Sequence, residues 1–227
     1  MRFEVSDGEI STKKLRSNNY YARTCIHPMA IFIKKIFVVI PLLVWNCSSL
    51  QEKPLPKLGT LPHFSLIERN GQPFGLKNLQ GAVWVADFIF TNCAGTCPIM
   101  TTAMTEIQKM AVAEKMESVR LVSITVDPER DSLEVLKRFA DGYGALPGRW
   151  YFLTGDGAAI QQLANKGFLL SAATSTGGSA EEPIIHSNRF VLVDRVGCIR
   201  GYYDGTDEES VKKLLKDIKT LYSEETS

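Results

Sequence analysis

Two cysteines four positions apart, Cys93 and Cys97 in the run Asp87-Phe-Ile-Phe-Thr-Asn-Cys93-Ala-Gly-Thr-Cys97-Pro98, are the residues of this chain best placed to do chemistry. At that spacing both sulfurs can face one point in space, so the pair can share a soft metal ion or close a disulfide. Val83 to Phe90 just before them is a nearly continuous apolar run, the pattern of a strand covered on both faces. Pro98 favours a first helical turn. Cys97 then falls at the amino end of a helix, where unpaired N–H groups and the helix dipole favour its thiolate.

The elements that must position this pair alternate along the chain. A hairpin is expected from Phe64 to Ile67 and Pro73 to Leu76 around Asn70-Gly71, then a strand over Val83 to Phe90 and a helix over Pro98 to Met116. Ile99, Met100, Ala103, Met104, Ile107 and Met110 give that helix its apolar face. Further strands are expected at Val119 to Val126 and Trp150 to Leu153, with helices at Ser132 to Ala140, capped by Ser132, and at Ala158 to Lys166. Phe190 to Asp194 and Ile199 to Tyr203 flank a turn at Val196-Gly197, and Ser210 to Tyr222 closes as a helix. Parallel strands joined by helices and finished by an antiparallel hairpin make a thioredoxin-like α/β domain with a central mixed sheet.

That topology gathers distant residues. The carboxyl ends of parallel strands line one edge of an open sheet, which brings Cys93 and Asp127 together. An antiparallel strand offers its amino end to the same edge, so His186, just before Phe190, can reach the cysteine loop. Two thiolates and an imidazole form a soft three-coordinate set suited to Cu(I), and to Cu(II) when another ligand or water joins. Structural zinc normally takes four protein ligands, and no fourth is evident. Met100 and Met104 carry thioethers, but their spacing marks them as core.

At the level of motifs, Phe90-Thr-Asn-Cys93-Ala-Gly-Thr-Cys97-Pro98, Thr125-Val-Asp127-Pro-Glu-Arg130-Asp131-Ser132 and His186-Ser187 ahead of Phe190-Val-Leu-Val-Asp194 resemble the Sco/SenC family over about Leu58 to Tyr222. The resemblance implies a thioredoxin-like copper protein, tethered to a membrane outside the cytoplasm, that helps assemble the dinuclear copper centre of cytochrome c oxidase. It also implies Cys93, Cys97 and His186 as the metal ligands, and the copper-bearing oxidase subunit or another cuproprotein as partner. Asn92 stands where the family often has His, Ala94 where it often has Pro, and Pro183-Ile-Ile185 where an acidic residue is frequent. These departures spare the three ligands and fall on the groups around them.

Thiol–disulfide exchange competes with that reading. Asp87 lies in Val85-Ala-Asp87-Phe88, which looks like the strand of thioredoxins that carries a buried acid beneath the dithiol, and a buried carboxyl there could accept a proton from the resolving thiol. Such a reductase would keep cuproprotein cysteines reduced and would draw electrons from a thioredoxin-like reductant. The thioredoxin spacing, however, is Cys-x-x-Cys, one residue shorter. A peroxiredoxin would place Pro and Thr where Ala86 and Phe90 stand. A purely structural Cys93–Cys97 disulfide is the plainest alternative. Asp127 could approach the cysteine loop or orient a helix with Arg130 and Asp131. Cys198, in the last hairpin, reads as a small buried side chain.

Composition bounds the rest. The chain has 227 residues, 44% hydrophobic, and a net charge of +1, which gives no reason to expect nucleic acid. Residues 1–28 are polar and precede Met29-Ala-Ile-Phe-Ile-Lys34-Lys35 and the ten uncharged residues Ile36 to Trp45, so translation is expected to start at Met29. Residues 29–47 then form a signal peptide or membrane anchor, with Asn46-Cys47 resembling a lipoprotein cleavage site. Residues 48–61, rich in proline, form a tether, and 62–223 the domain. The polar loop Ser171 to Glu182 precedes His186 and is expected to let it swing.

Overall fold

The computed structural model describes residues 54–170 and 187–224. His186, the loop before it and residues 1–53 lie outside the described residues, and with them the expected start, anchor and lipidation site. Eight strands form one mixed sheet: β1 Gly59–Thr60, β2 Ser65–Glu68, β3 Pro73–Gly75, β4 Val83–Ile89, β5 Val119–Thr125, β6 Trp150–Thr154, β7 Arg189–Val193 and β8 Cys198–Asp204. Their order across the sheet is β1-β8-β7-β4-β5-β6-β2-β3. Strands β4, β5 and β6 run parallel, with Ile89 opposite Thr125, while β7 runs antiparallel to β4.

Every residue of β4 is buried because helices cover both sheet faces. On one face lie α1 (Cys97–Ala113), α2 (Leu133–Gly142) and α4 (Glu208–Ser223), whose Met104, Ile107, Leu136, Leu214 and Ile218 pack on Val83, Val85, Ile89 and Leu121. On the other, α3 (Gly157–Gln162), which runs on into a wide turn over Leu163–Gly167, packs with the β2–β3 hairpin on Trp84, Ala86 and Phe88. The turn glycines do what their positions require: Gly71 and Gly197 take positive φ, +83° and +81°, in the two hairpin turns.

The expected elements are present with small shifts of boundary. Ser132 caps α2, accepting the Val135 N–H at 3.4 Å. Met100 and Met104 are buried, as core side chains should be, whereas Ile99 is 56% exposed and does not belong to the apolar face of α1. Of the stretch read as a tether, residues 54–61 lie against the domain. Gly59 and Thr60 pair with Ile199 and Cys198, Leu61 is buried, and the Arg200 side chain donates to the carbonyls of Leu55 at 2.7 Å and Pro56 at 3.0 Å. Arg200 also pairs with Asp194 at 3.0 Å, with both side chains largely buried.

Candidate metal centre

Strand β4 ends at Ile89, and the chain turns sharply before α1. The turn Phe90–Cys93 is closed by the Cys93 N–H donating to the Phe90 carbonyl at 3.1 Å. Residues 94–96 then curl into the helix, whose N-cap Thr96 makes no side-chain cap bond. Cys93 Sγ takes that place. The Gly95 N–H donates to it at 3.4 Å, and the N–H groups of Cys97 and Thr96 face it as well. These donors, the Cys97 N–H foremost, hold the Cys93 thiol below its ordinary range.

Cys97 has the opposite character. Its side chain turns inward from the first turn of α1, and burial pushes its thiol up to about 11, with the Cys93 sulfur and the Asp87 carboxyl adding to the effect. This corrects the expectation that Cys97 holds the favoured thiolate. Being first in the helix makes its backbone N–H the donor, and the sulfur that receives it is that of Cys93. Neither cysteine is in a disulfide, and both are half-buried at the sheet edge.

Asp87 lies on β4 beneath this pair, fully buried. Neither carboxyl oxygen has a hydrogen-bond partner among the described residues at good geometry. Burial pushes it up to about 7, only partly offset by Ser123, its register partner on β5. The Ser123 oxygen is itself occupied, accepting the Trp150 Nε1–H at 3.0 Å.

The loop after β5 reaches the same edge, but Asp131, and not Asp127, contacts the cysteine segment. Asp127 pairs with the exposed Arg130 at 3.1 Å. Asp131 accepts the Thr91 N–H at 3.2 Å, the Thr91 hydroxyl, and the Thr125 hydroxyl at 2.5 Å. Thr91, Thr125 and Asp131 were not singled out from the sequence as a group. The available signal was that Thr91 and Thr125 fall at or just past the ends of adjacent parallel strands, with Asp131 in the loop that follows the second.

At this edge β7 contributes its amino end, as its antiparallel pairing with β4 requires. Ser187, next to His186, is buried there, and its hydroxyl lacks a partner among the described residues. No three His, Cys, Asp or Glu side chains gather to hold a metal ion among the described residues. Two adjacent sulfurs, one of them with its ionisation favoured by backbone donors, nevertheless make a donor set that suits a soft cation.

The SCO1/SenC family model matches residues 53–223, the sheet, its helices and all three motifs. The chain belongs to the SCO1/SenC family. A SCO1/SenC family lipoprotein from Bacillus anthracis str. Ames is 35% identical, with a TM-score of 0.64 over 74% of this chain and 99% of that one. BsSco, described as a member of the Sco family of cytochrome c oxidase assembly proteins with a disulfide switch, is 35% identical, with a TM-score of 0.63 over 75% and 98% of the two chains. Yeast Sco1, solved with copper bound, is 25% identical, with a TM-score of 0.55 over 73% and 94%. The thioredoxin-like fold read from the strand order is thus the fold of this SCO1/SenC chain. No helix among the described residues is long and apolar enough to cross a membrane.

Proposed function

We propose that this chain carries one copper ion between Cys93, Cys97 and His186 and delivers it to the dinuclear copper site of cytochrome c oxidase, from a position outside the cytoplasm. The observation that carries the proposal is the cysteine turn itself, in which two sulfurs of unlike acidity sit together at an exposed sheet edge. Copper is the cargo here. A thiol whose ionisation is favoured by N–H groups gives up its proton to a metal more readily, and a half-buried partner sulfur keeps the ion from bulk water. The amino end of β7 leads directly from His186, which supports that residue as the third ligand. The copper-bound yeast relative and the oxidase-assembly role of the BsSco family favour copper over other soft metals. Residues 29–47 would bring the domain to the membrane, either as an uncleaved anchor or as a signal peptide removed ahead of a lipidated Cys47, the latter in keeping with the lipoprotein relative.

Anaerobic titration of the reduced domain with Cu(I) against a chromophoric competitor tests this. One tightly held copper per chain is expected, weakened in His186→Ala and lost in Cys93→Ser/Cys97→Ser. Wild-type affinity in the double cysteine variant would sink the proposal.

A second reading, thiol–disulfide reductase, is favoured by the unequal cysteines above an unpartnered acid. The Cys93 thiolate would attack a disulfide in a cuproprotein, forming a mixed disulfide and releasing one thiol. Cys97 would then give its proton to Asp87, attack Cys93, and leave a Cys93–Cys97 disulfide as the substrate takes up two electrons. A thioredoxin-like reductant would restore the dithiol. If Asp87→Asn left the reductase rate unchanged, the proton relay would have to be abandoned.

A further inference from the structure

Asp131 touches neither sulfur, yet it holds the segment that carries both. Its side chain is 1% exposed and braced from two sides. Thr91 donates to it twice, through its N–H to Oδ2 and through its hydroxyl to Oδ1, while the buried Thr125 hydroxyl donates to Oδ2 from the end of β5. Thr125 Oγ1 in turn accepts the Asp127 N–H at 3.0 Å, and the Asp131 N–H donates to the Asp127 carbonyl at 2.9 Å. The carboxylate is thereby fixed to β5 before it reaches across to the segment leaving β4.

Its attachment point matters because Thr91 is the second residue of the Phe90–Cys93 turn. The same turn supplies the Phe90 N–H that faces Cys97 Sγ. The turn thus carries Cys93 and supplies a donor to Cys97, and Asp131 ties it to the sheet. A role confined to starting α2 does not account for this, since Ser132 supplies that cap with its own hydroxyl. Nor does a surface ion pair, since Arg130 is occupied by Asp127.

We propose that Asp131, braced by Thr125, is a positioning residue for the dithiol, setting the placement of Cys93 and Cys97 through Thr91. Its expression in copper affinity rests on the metal-carrier reading above, whereas its expression in thiol reactivity does not. The test is the pH profile of Cys93 alkylation, read by peptide mass, together with Cu(I) competition in the reduced protein. Asp131→Ala and Thr91→Val are expected to move the Cys93 profile to higher pH, slow alkylation at pH 7 roughly 3- to 10-fold, and weaken Cu(I) about 10- to 100-fold. Thr91→Ser keeps the hydroxyl and restores the profile, and Arg130→Ala leaves it unchanged. A wild-type profile in folded Asp131→Ala, or in Thr91→Val if Asp131→Ala does not fold, overturns the proposal. If the wild-type chain binds no copper, the metal reading fails while the alkylation profiles still decide the positioning role.

Discussion

The two cysteines differ because one sulfur receives the backbone donors of a helix start and the other is turned into the protein. At pH 7 a thiol pushed up to about 11 is ionised in only about one molecule in ten thousand, whereas Cys93 is shifted the other way. Brief iodoacetamide treatment at pH 7 should therefore label Cys93 and spare Cys97, with peptide mapping as the readout. Asp87 adds a second pH signature. Its folded form titrates near 7, above the ordinary 3.8, so the folded chain binds this proton more tightly than the unfolded one. That contribution to stability is full below about pH 4 and is lost as pH rises toward 7. Above 7 the buried carboxylate costs up to about 4 kcal/mol at 1.36 kcal/mol per pH unit. Asp87→Asn should thus gain on the order of 2 to 4 kcal/mol at pH 8 and little at pH 4, as measured by urea denaturation at both.

At the scale of elements, α1 joins the site to the core. Met104, fully buried on its inner face, packs on β4 seven residues beyond Cys97. Met104→Ala should cost about 2 to 5 kcal/mol in thermal or denaturant unfolding while leaving copper stoichiometry at its wild-type value, because the thioether is core and not a ligand. The helix, its proline and the fully covered β4 were legible in the sequence because burial on two faces and a Pro in the first turn leave plain patterns. Strand β1 was not, since Gly59-Thr60 carries no alternation and owes its conformation to pairing with β8. The acidity of the two sulfurs was equally hidden. Spacing placed both beside a helix start, but which of them meets the N–H groups depends on how Ala94-Gly95-Thr96 folds back. In the same way Asp127 and Asp131 were indistinguishable as sequence until Thr91 showed which of them faces the cysteine segment.

Across the whole molecule the sheet has two unlike ends. One carries the cysteines; at the other, Arg200 binds Asp194, Leu55 and Pro56 together. Arg200→Ala would strand Asp194 and release residues 55–56, with an expected cost of about 3 to 5 kcal/mol. New cleavage between Leu55 and Leu61 in limited proteolysis would report the release directly. From Trp84, which lies level with Ile199 beside Arg200 through Val193, to Ile89 the sheet spans five residues, about 17 Å at 3.3 Å per residue. The guanidinium is thus a hitch at one end of a short boom whose working tip is the pair of sulfurs. Because residues 55 and 56 are tied down at the Arg200 end, the two sulfurs open on the opposite edge of the sheet, clear of the point where the chain is fastened.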